Sequence, residues 1–327
     1  MLRTDDFDFP LPEELIASRP LPRRDDSRML VVNRAEETME HRAFREFPQF
    51  VGKDDIVVFN NVRVAKARFF SNDGRIEVLR LHAVTPVHWQ CMVRPGKRMR
   101  KGHAVQIGDA TGTVTDIMED GTRLIQWDGT VDEQRYGHLA LPHYMRRDDD
   151  SEDTERYQTV YARADRSDAV AAPTAGLHFT PEIIASLPHA FITLHVGVGT
   201  FQPVKAELVA DHVMHSERYE IELPAAERIE NAARRIAVGT TVTRVLEHSA
   251  LTHGAVTAHS GETRIFLYPG CRFQKVDALL TNFHLPKSTL FMLVCAFGGT
   301  DLLKRAYAEA VRERYRFYSY GDCMLIR

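Results

Sequence analysis

Apolar positions along this chain fall into short runs whose spacing changes twice. Met29–Val32 and Ile56–Phe59 are four-residue apolar runs with β-branched members, and both read as buried strands. Ahead of them Pro12, Glu13 and Glu14, followed by Leu15 and Ile16, predict a short helix. From about Asn61 to Asp128 the runs become short and alternating: Ile76–Ala83, Trp89–Val93, Ala104–Ile107, Thr111–Ile117 and Leu124–Trp127. Gly74, Pro95-Gly96, Gly102, Gly108, Gly112 and Gly121 punctuate them. Closely spaced strands without helices between them predict a small antiparallel barrel. His138–Glu155 is polar and charged and reads as a solvated connector.

From Tyr157 onward strand and helix signals alternate. Phe191–Val196, Ile236–Val238 and Val276–Thr281 predict strands. Ala225–Ile236 predicts an amphipathic helix with Ala226, Ile229, Ala233 and Ile236 on one face, and Thr243–Leu251 a second helix. Ser288 is the expected cap of a helix through Phe297, and Thr300 the cap of another. This alternation predicts a mostly parallel sheet covered on both faces. The expected fold is therefore α/β: a three-layer α/β/α domain with an inserted small antiparallel β-barrel domain. Residues 1–60 and 150–327 would form the discontinuous α/β catalytic domain, and 61–149 the inserted barrel with its connector.

Composition narrows the class. The 327 residues are 44% hydrophobic and 27% charged, enough for a sizeable core. A net charge of −3 does not mark a strongly basic nucleic-acid binder, yet basic residues cluster at Arg94, Lys97, Arg98, Arg100 and Lys101 and again at Arg312–Arg316. The four cysteines form no C-x-x-C pair, which argues against a structural zinc site and for reduced thiols in a cytoplasmic protein. The N-terminus has no signal-peptide pattern, and the longest apolar run, Leu290–Phe297, is too short to cross a bilayer. No membrane partner is expected.

Three stretches combine His and Thr with Gly or Pro: Ala169–Thr180 (A-V-A-A-P-T-A-G-L-H-F-T), His195–Phe201 (H-V-G-V-G-T-F) and Asn282–Thr289 (N-F-H-L-P-K-S-T). Small residues admit a ligand close to the backbone, hydroxyls bond it, and an imidazole exchanges protons. His195–Phe201, Gly239–Thr241 and His284–Ser288 each follow a predicted strand, where open α/β sheets bind ligands. The last two also precede helices, whose N-termini favour an anion or carboxylate. Gly197-Val198-Gly199 lacks the third glycine of a dinucleotide fingerprint, with Gln202 in its place. Pro286-Lys287-Ser288-Thr289 resembles the end of a phosphate loop, but no Gly stands five residues before Lys287. His212-x-x-His215 with Glu217 lacks the helical spacing of a metalloprotease site. Tyr315–Met324 interleaves rings with Arg, which suits stacked RNA bases and equally suits a C-terminal strand burying its rings.

Taken in order, P-T-A-G-L-H-F-T, T-L-H-V-G-V-G-T-F, M-H-S-E, A-V-G-T-T, T-N-F-H-L-P-K-S-T-L and Y-R-F-Y-S-Y-G-D resemble the S-adenosylmethionine:tRNA ribosyltransferase-isomerase family of queuosine biosynthesis. F-D-F-P-L-P-E-E-L-I-A, D-D-S-R (Asp25–Arg28), F-N-N-V-R-V and R-Y-Q-T-V-Y-A extend the resemblance over essentially the whole chain. It implies an α/β domain with an inserted barrel. It also implies that the ribosyl part of S-adenosylmethionine moves onto 7-aminomethyl-7-deazaguanine at the tRNA wobble position. Ring isomerisation then gives epoxyqueuosine, and adenine and methionine leave. S-Adenosylmethionine is consumed as a co-substrate, and no cofactor or metal is required.

That chemistry needs a base for the 5′ proton beside the sulfonium and help for departing adenine. His178, His195 and His284 are the candidates for proton transfer, with His215 and Glu217 behind them. Thr174, Thr200, Thr240 and Thr241 are candidate contacts to the ribose hydroxyls or the methionyl end, with Gly176, Gly197, Gly199 and Gly239 allowing close approach. Asn282, Lys287 and Ser288 complete the expected substrate set. Arg94, Lys97 and Arg98 on the barrel, and Arg316, Tyr318 and Tyr320 near the C-terminus, are the candidate tRNA contacts. A monomer acting on tRNA and S-adenosylmethionine is expected. Two departures stand out: Val242-Thr243 replaces the family's frequent Ser-Val after G-T-T, and the stretch from Pro181 to Phe191 is short. Two readings from other classes compete: a catalytically inactive tRNA-binding module, and a metal-dependent hydrolase built on His212 and His215.

Overall fold

The computed structural model describes residues 1–197 and 204–327. A hairpin of β1 (Arg28–Asn33) and β2 (Thr38–Ala43) precedes β3 (Asp55–Asn60). Six strands follow: β4 (Arg68–Phe70), β5 (Glu77–Thr85), β6 (His88–Arg94), β7 (Ala104–Ile107), β8 (Ala110–Ile117) and β9 (Arg123–Trp127). Short helices α1 (Glu133–Tyr136), α2 (Ser151–Arg156) and α3 (Pro181–Ala185) lead to β10 (His189–Leu194) and β11 (Glu217–Ile221). Then come α4 (Leu223–Asn231), β12 (Arg234–Val238), α5 (Thr240–His253), β13 (His259–Thr263) and β14 (Ala278–Asn282). The chain ends with α6 (Thr289–Gly298), α7 (Thr300–Arg312) and β15 (Cys323–Ile326).

Among the described residues the large sheet has the order β13-β11-β10-β3-β12-β14-β15-β1-β2. Its strands alternate faces. Leu30, Val32, Ile56, Val58, Ala237 and Leu279 meet α4–α7 on one side. Met29, Val31, Val57, Phe59, Val238 and Leu280 meet α3 and short 3-10 turns on the other. Both faces are covered, as expected, but the second layer is thin. The expected mostly parallel sheet is mixed instead. The run β10, β3, β12 and β14 is parallel, whereas β15 is antiparallel to β14 and parallel to β1. The short β1–β2 connection forces antiparallel pairing there, since a parallel return needs a long crossover.

The second sheet, in the order β4-β5-β6-β9-β8-β7, is antiparallel throughout. Trp89 and Trp127 fill its interior with Phe69, Val105 and Ile125. Its ends nearly meet: the Asn72 side chain bonds Gly108, and Asn72 N–H donates to the Gln106 carbonyl (2.9 Å). The outgoing and returning crossovers run side by side, with Ala65 N–H on the Ala169 carbonyl (2.9 Å).

Four local expectations change. The Pro12–Ile16 helix is only a 3-10 turn over Glu13–Leu15. Helix α4 stops at Asn231, because Arg234 is drawn into the sheet by Asp55 (2.6 Å) and Arg235 N–H by Asp277 (2.7 Å). Ala233 and Ile236 therefore leave the helical face. Gly299, at φ +87°, rather than Thr300, caps α7. The connector is not wholly solvated: Leu139, Leu141 and Met145 are buried, and Asp153 is buried against Arg147 and Tyr320.

Candidate active site

β12 and β14 end side by side, with Gly239 N–H donating to the Leu280 carbonyl (2.7 Å). Gly239 adopts φ +93°, a conformation glycine reaches without steric cost, and α5 starts at once. No side chain caps α5, so its first N–H groups stay available at the strand ends. After Asn282 the chain turns through Phe283–Lys287 into α6. Ser288 caps that helix, accepting from Phe291 N–H (3.1 Å) and donating to the Leu285 carbonyl (2.7 Å). The 3-10 turn Thr174–His178 forms a further wall. Phe179 anchors it, packed edge-on against Phe59 (4.8 Å) and Phe44 (4.9 Å). Antiparallel β15 brings Tyr318 and Ser319 to the same edge. Tyr144 of the connector stacks on Tyr318 at 4.1 Å and bonds Ser319.

These walls enclose a cavity of about 310 Å³, within the range that holds a small molecule. Its lining includes Thr174, Gly239–Thr241, Asn282, His284, Tyr318 and the connector residues Pro142–Tyr144. Thr241 Oγ1, Asn282 Oδ1 and Tyr318 Oη are buried and have no hydrogen-bond partner among the described residues. An unpaired buried polar group costs about 1–3 kcal/mol, and three of the residues that line this cavity carry one. Tyr318 and Lys287 also hold left-handed backbone (φ +74° and +56°), which is uncommon for non-glycine residues and is shared here by Glu37, Arg146 and Arg314.

The two buried histidines differ. His284 lines the cavity; its Nε2 lies 2.8 Å from Thr281 Oγ1 and its backbone N–H donates to Tyr307 Oη. Its Nδ1 has no partner among the described residues. Burial pushes its pKa down to about 3, so the ring is neutral and can only accept a proton. His178 is absent from the cavity lining. It lies behind Asn282, with Nε2 3.3 Å from Asn282 Nδ2 and Nδ1 2.9 Å from Ser27 Oγ. Burial, then the Arg24 charge, lower its pKa to about 4.

The remaining expected residues divide. His195 points away from the cavity toward Asp168 and Arg218, and burial lowers its pKa. Gly199 and Thr200 lie outside the described residues. Gly197 donates its N–H to Glu217 (3.1 Å), and Glu217 pairs with buried Arg244 of α5. Glu217 and exposed His215 line a smaller neighbouring recess with His212 and Leu290. Gly176 is a packing position: a Cβ there would come within 2.0 Å of Tyr161 Oη. The Lys287 ammonium is held by Asp5 (2.9 Å) and Asp8 (3.0 Å), so its charge is not free for a phosphate. Tyr320 is buried with its hydroxyl on Asp153, and Tyr318 stacks on Tyr144, so neither offers a ring face to a base. Arg316 is half-buried and bonds the Arg19 carbonyl. Of these three, Tyr318 lines the cavity and Tyr320 a separate small recess. Arg94, Lys97 and Arg98 are exposed on the small sheet, with no ion pair among the described residues.

Sequence reasoning missed His143 and Tyr144, hidden in a charged connector; the apolar Leu139–Leu141 beside them was the available signal. It also missed Arg244 and Ser27, whose roles depend on distant partners. Among the described residues no three His, Cys, Asp or Glu side chains are grouped to hold a metal ion.

The queuosine biosynthesis protein family model matches residues 4–326. An S-adenosylmethionine:tRNA ribosyltransferase-isomerase from Halothermothrix orenii is 46% identical, the alignment covering 99% of this chain and 100% of that protein. A protein of the same name from Symbiobacterium thermophilum is 47% identical over 99% of this chain and 100% of its own length. The crystal structure of an S-adenosylmethionine tRNA ribosyltransferase from Thermotoga maritima is 35% identical, with a TM-score of 0.58, covering 98% of this chain and 100% of that one. The strand-end cavity, the inserted antiparallel sheet and this full-length similarity agree: the chain belongs to the queuosine biosynthesis protein family.

Proposed function

We propose that this protein is an S-adenosylmethionine:tRNA ribosyltransferase-isomerase. It moves the ribosyl part of S-adenosylmethionine onto 7-aminomethyl-7-deazaguanine at the tRNA wobble position and isomerises it to epoxyqueuosine, releasing adenine and methionine. The observation that carries the site assignment is the convergence of Thr241 Oγ1, Asn282 Oδ1 and Tyr318 Oη with the uncapped α5 N-terminus around one cavity. The α5 N–H groups and Thr241 suit the methionyl carboxylate, since a helix N-terminus carries partial positive charge. Thr174 and Thr240 face the same space and suit the ribose hydroxyls. His284 is placed to take a proton. At about 3 its pKa falls below the range where a base works best, which leaves exposed, cavity-lining His143 as a second proton acceptor. With S-adenosylmethionine and precursor tRNA, the protein yields adenine and methionine in equal amounts by chromatography. Formation of S-adenosylhomocysteine instead would identify a methyltransferase; tRNA binding without adenine would identify an inactive binding module.

The exposed basic cluster on the small sheet supports a tRNA contact there. Arg94, Lys97 and Arg98 are exposed and available to phosphates. Replacing all three with alanine weakens tRNA binding and flattens the plot of log affinity against log salt by about 2–3, from three lost phosphate contacts. Filter binding between low and moderate salt measures it; an unchanged slope removes this face from the interface. No helix among the described residues is long and apolar enough to cross a membrane. The enzyme acts in the cytoplasm, where both substrates reside, as a monomer.

A further inference from the structure

The Asn282 amide has one orientation that its neighbours permit. The Tyr318 carbonyl, 3.0 Å from Nδ2, can only accept a hydrogen bond, so the amide nitrogen must face it. The second N–H of that nitrogen then donates to His178 Nε2 (3.3 Å). With Nε2 accepting, the neutral ring carries its proton on Nδ1 and donates to Ser27 Oγ (2.9 Å). Ser27 in turn donates to the Arg24 carbonyl (3.4 Å). Every donor in this chain points the same way, and it ends with the buried Asn282 Oδ1 as the unpaired acceptor at the cavity wall.

We propose that Ser27 and His178 are positioning residues that lock the Asn282 amide, so that its oxygen receives the α-ammonium of the methionyl end of S-adenosylmethionine. This rests on the cavity being the S-adenosylmethionine site. Asn282 closes β14 and Gly239 closes the neighbouring β12, which places the amide beside the α5 N-terminus. A ligand whose carboxylate sits on α5 carries its ammonium on the adjacent carbon, within reach of Asn282. Burial and the Arg24 charge hold His178 neutral, which keeps the Nε2 lone pair available to the amide. His178 packs against Phe44, Ser27 and Asn282, borders a separate small recess with Arg24 and Arg156, and is absent from the lining of the ligand cavity.

The test measures adenine release by wild type and by His178→Ala, His178→Gln and Ser27→Ala. His178→Ala raises KM for S-adenosylmethionine about tenfold while kcat stays within about threefold, and the pH profile of kcat keeps its wild-type shape. Ser27→Ala, a smaller change that spares the fold, raises KM about two- to threefold. His178→Gln, which supplies an acceptor to the amide, recovers most of the loss. Product inhibition reads the ammonium contact: wild type binds methionine more tightly than 4-(methylthio)butanoate, which lacks the amino group, and His178→Ala narrows that preference. A hundredfold fall in kcat with loss of a limb of the pH profile would show that His178 itself carries the proton. An unchanged KM in both His178→Ala and Ser27→Ala, or an unchanged methionine preference, would overturn the relay. Wild type releasing no adenine and methionine would instead sink the function on which it rests.

Discussion

Replacing Arg244 with leucine lowers the free energy of unfolding by about 3–5 kcal/mol, the range for removing one partner of a buried ion pair. Arg244 and Glu217 are 4% and 5% exposed at their side chains, so the stranded carboxylate has little water to turn to. Neither Arg244 Nε nor Glu217 Oε2 has an aligned hydrogen bond among the described residues, so the contact rests on Coulomb attraction at short range. Glu217 Oε1 also holds the Gly197 N–H, which ties β11 and α5 to the segment leaving β10. The double variant Arg244→Leu with Glu217→Leu recovers most of the loss, because two apolar side chains leave no buried charge behind. Urea midpoints of both variants measure this. A cost below about 1 kcal/mol for Arg244→Leu would mean that the pair behaves like a solvated surface bridge.

Acidification from pH 7.5 to pH 5 removes about 4 kcal/mol of stability through His178 and His284 together, about 2 kcal/mol from each. The ordinary imidazole value is 6.5, and burial brings the folded values to about 4 and about 3. Below 6.5 the unfolded chain binds protons that the folded chain refuses, so unfolding is favoured as pH falls. The contribution is fully present above 6.5. It declines as pH drops, and stops changing once the folded rings protonate near 4 and 3. An imidazole with an unfolded value of 6.5 takes up most of its proton inside this window, whereas carboxylates in the unfolded chain titrate mainly below it. Denaturant midpoints at several pH values check the slope, to which the lowered values of His195, His212 and His248 add in the same direction, and His178→Gln removes about 2 kcal/mol of the fall. A flat profile from 7.5 to 5 would show that the two rings accept protons in the folded state.

The candidate site was legible where chemistry is local. Gly239-Thr240-Thr241 after a β-branched strand and Asn282–Ser288 after another are strand-end loops by pattern alone, and both line the cavity. Ser288 was readable as a helix cap, and it is one. His178 was legible as a site residue but not in its position: a 3-10 turn points it behind Asn282, and no periodicity encodes that. Lys287 illustrates another limit. A lysine at a helix start suits an anion, yet Asp5 and Asp8, nearly the whole chain away in sequence, reach it first. Tyr318 and Tyr320 were ambiguous between stacking on RNA and packing inward. The direction of β15, which sequence does not state, decides for packing.

By itself the sequence determined the strand and helix alternation, the inserted antiparallel segment, the family and the strand-end loops. Those depend on short-range patterns: side-chain period, turn residues and motif order. Only the tertiary structure decided which residues share the cavity, that β15 runs against β14, that Tyr144 closes a wall and that Glu217 is held by Arg244. Such contacts join residues far apart in the chain. Their geometry follows from how strands register and which buried polar groups find partners, and neither is written in any local run of residues.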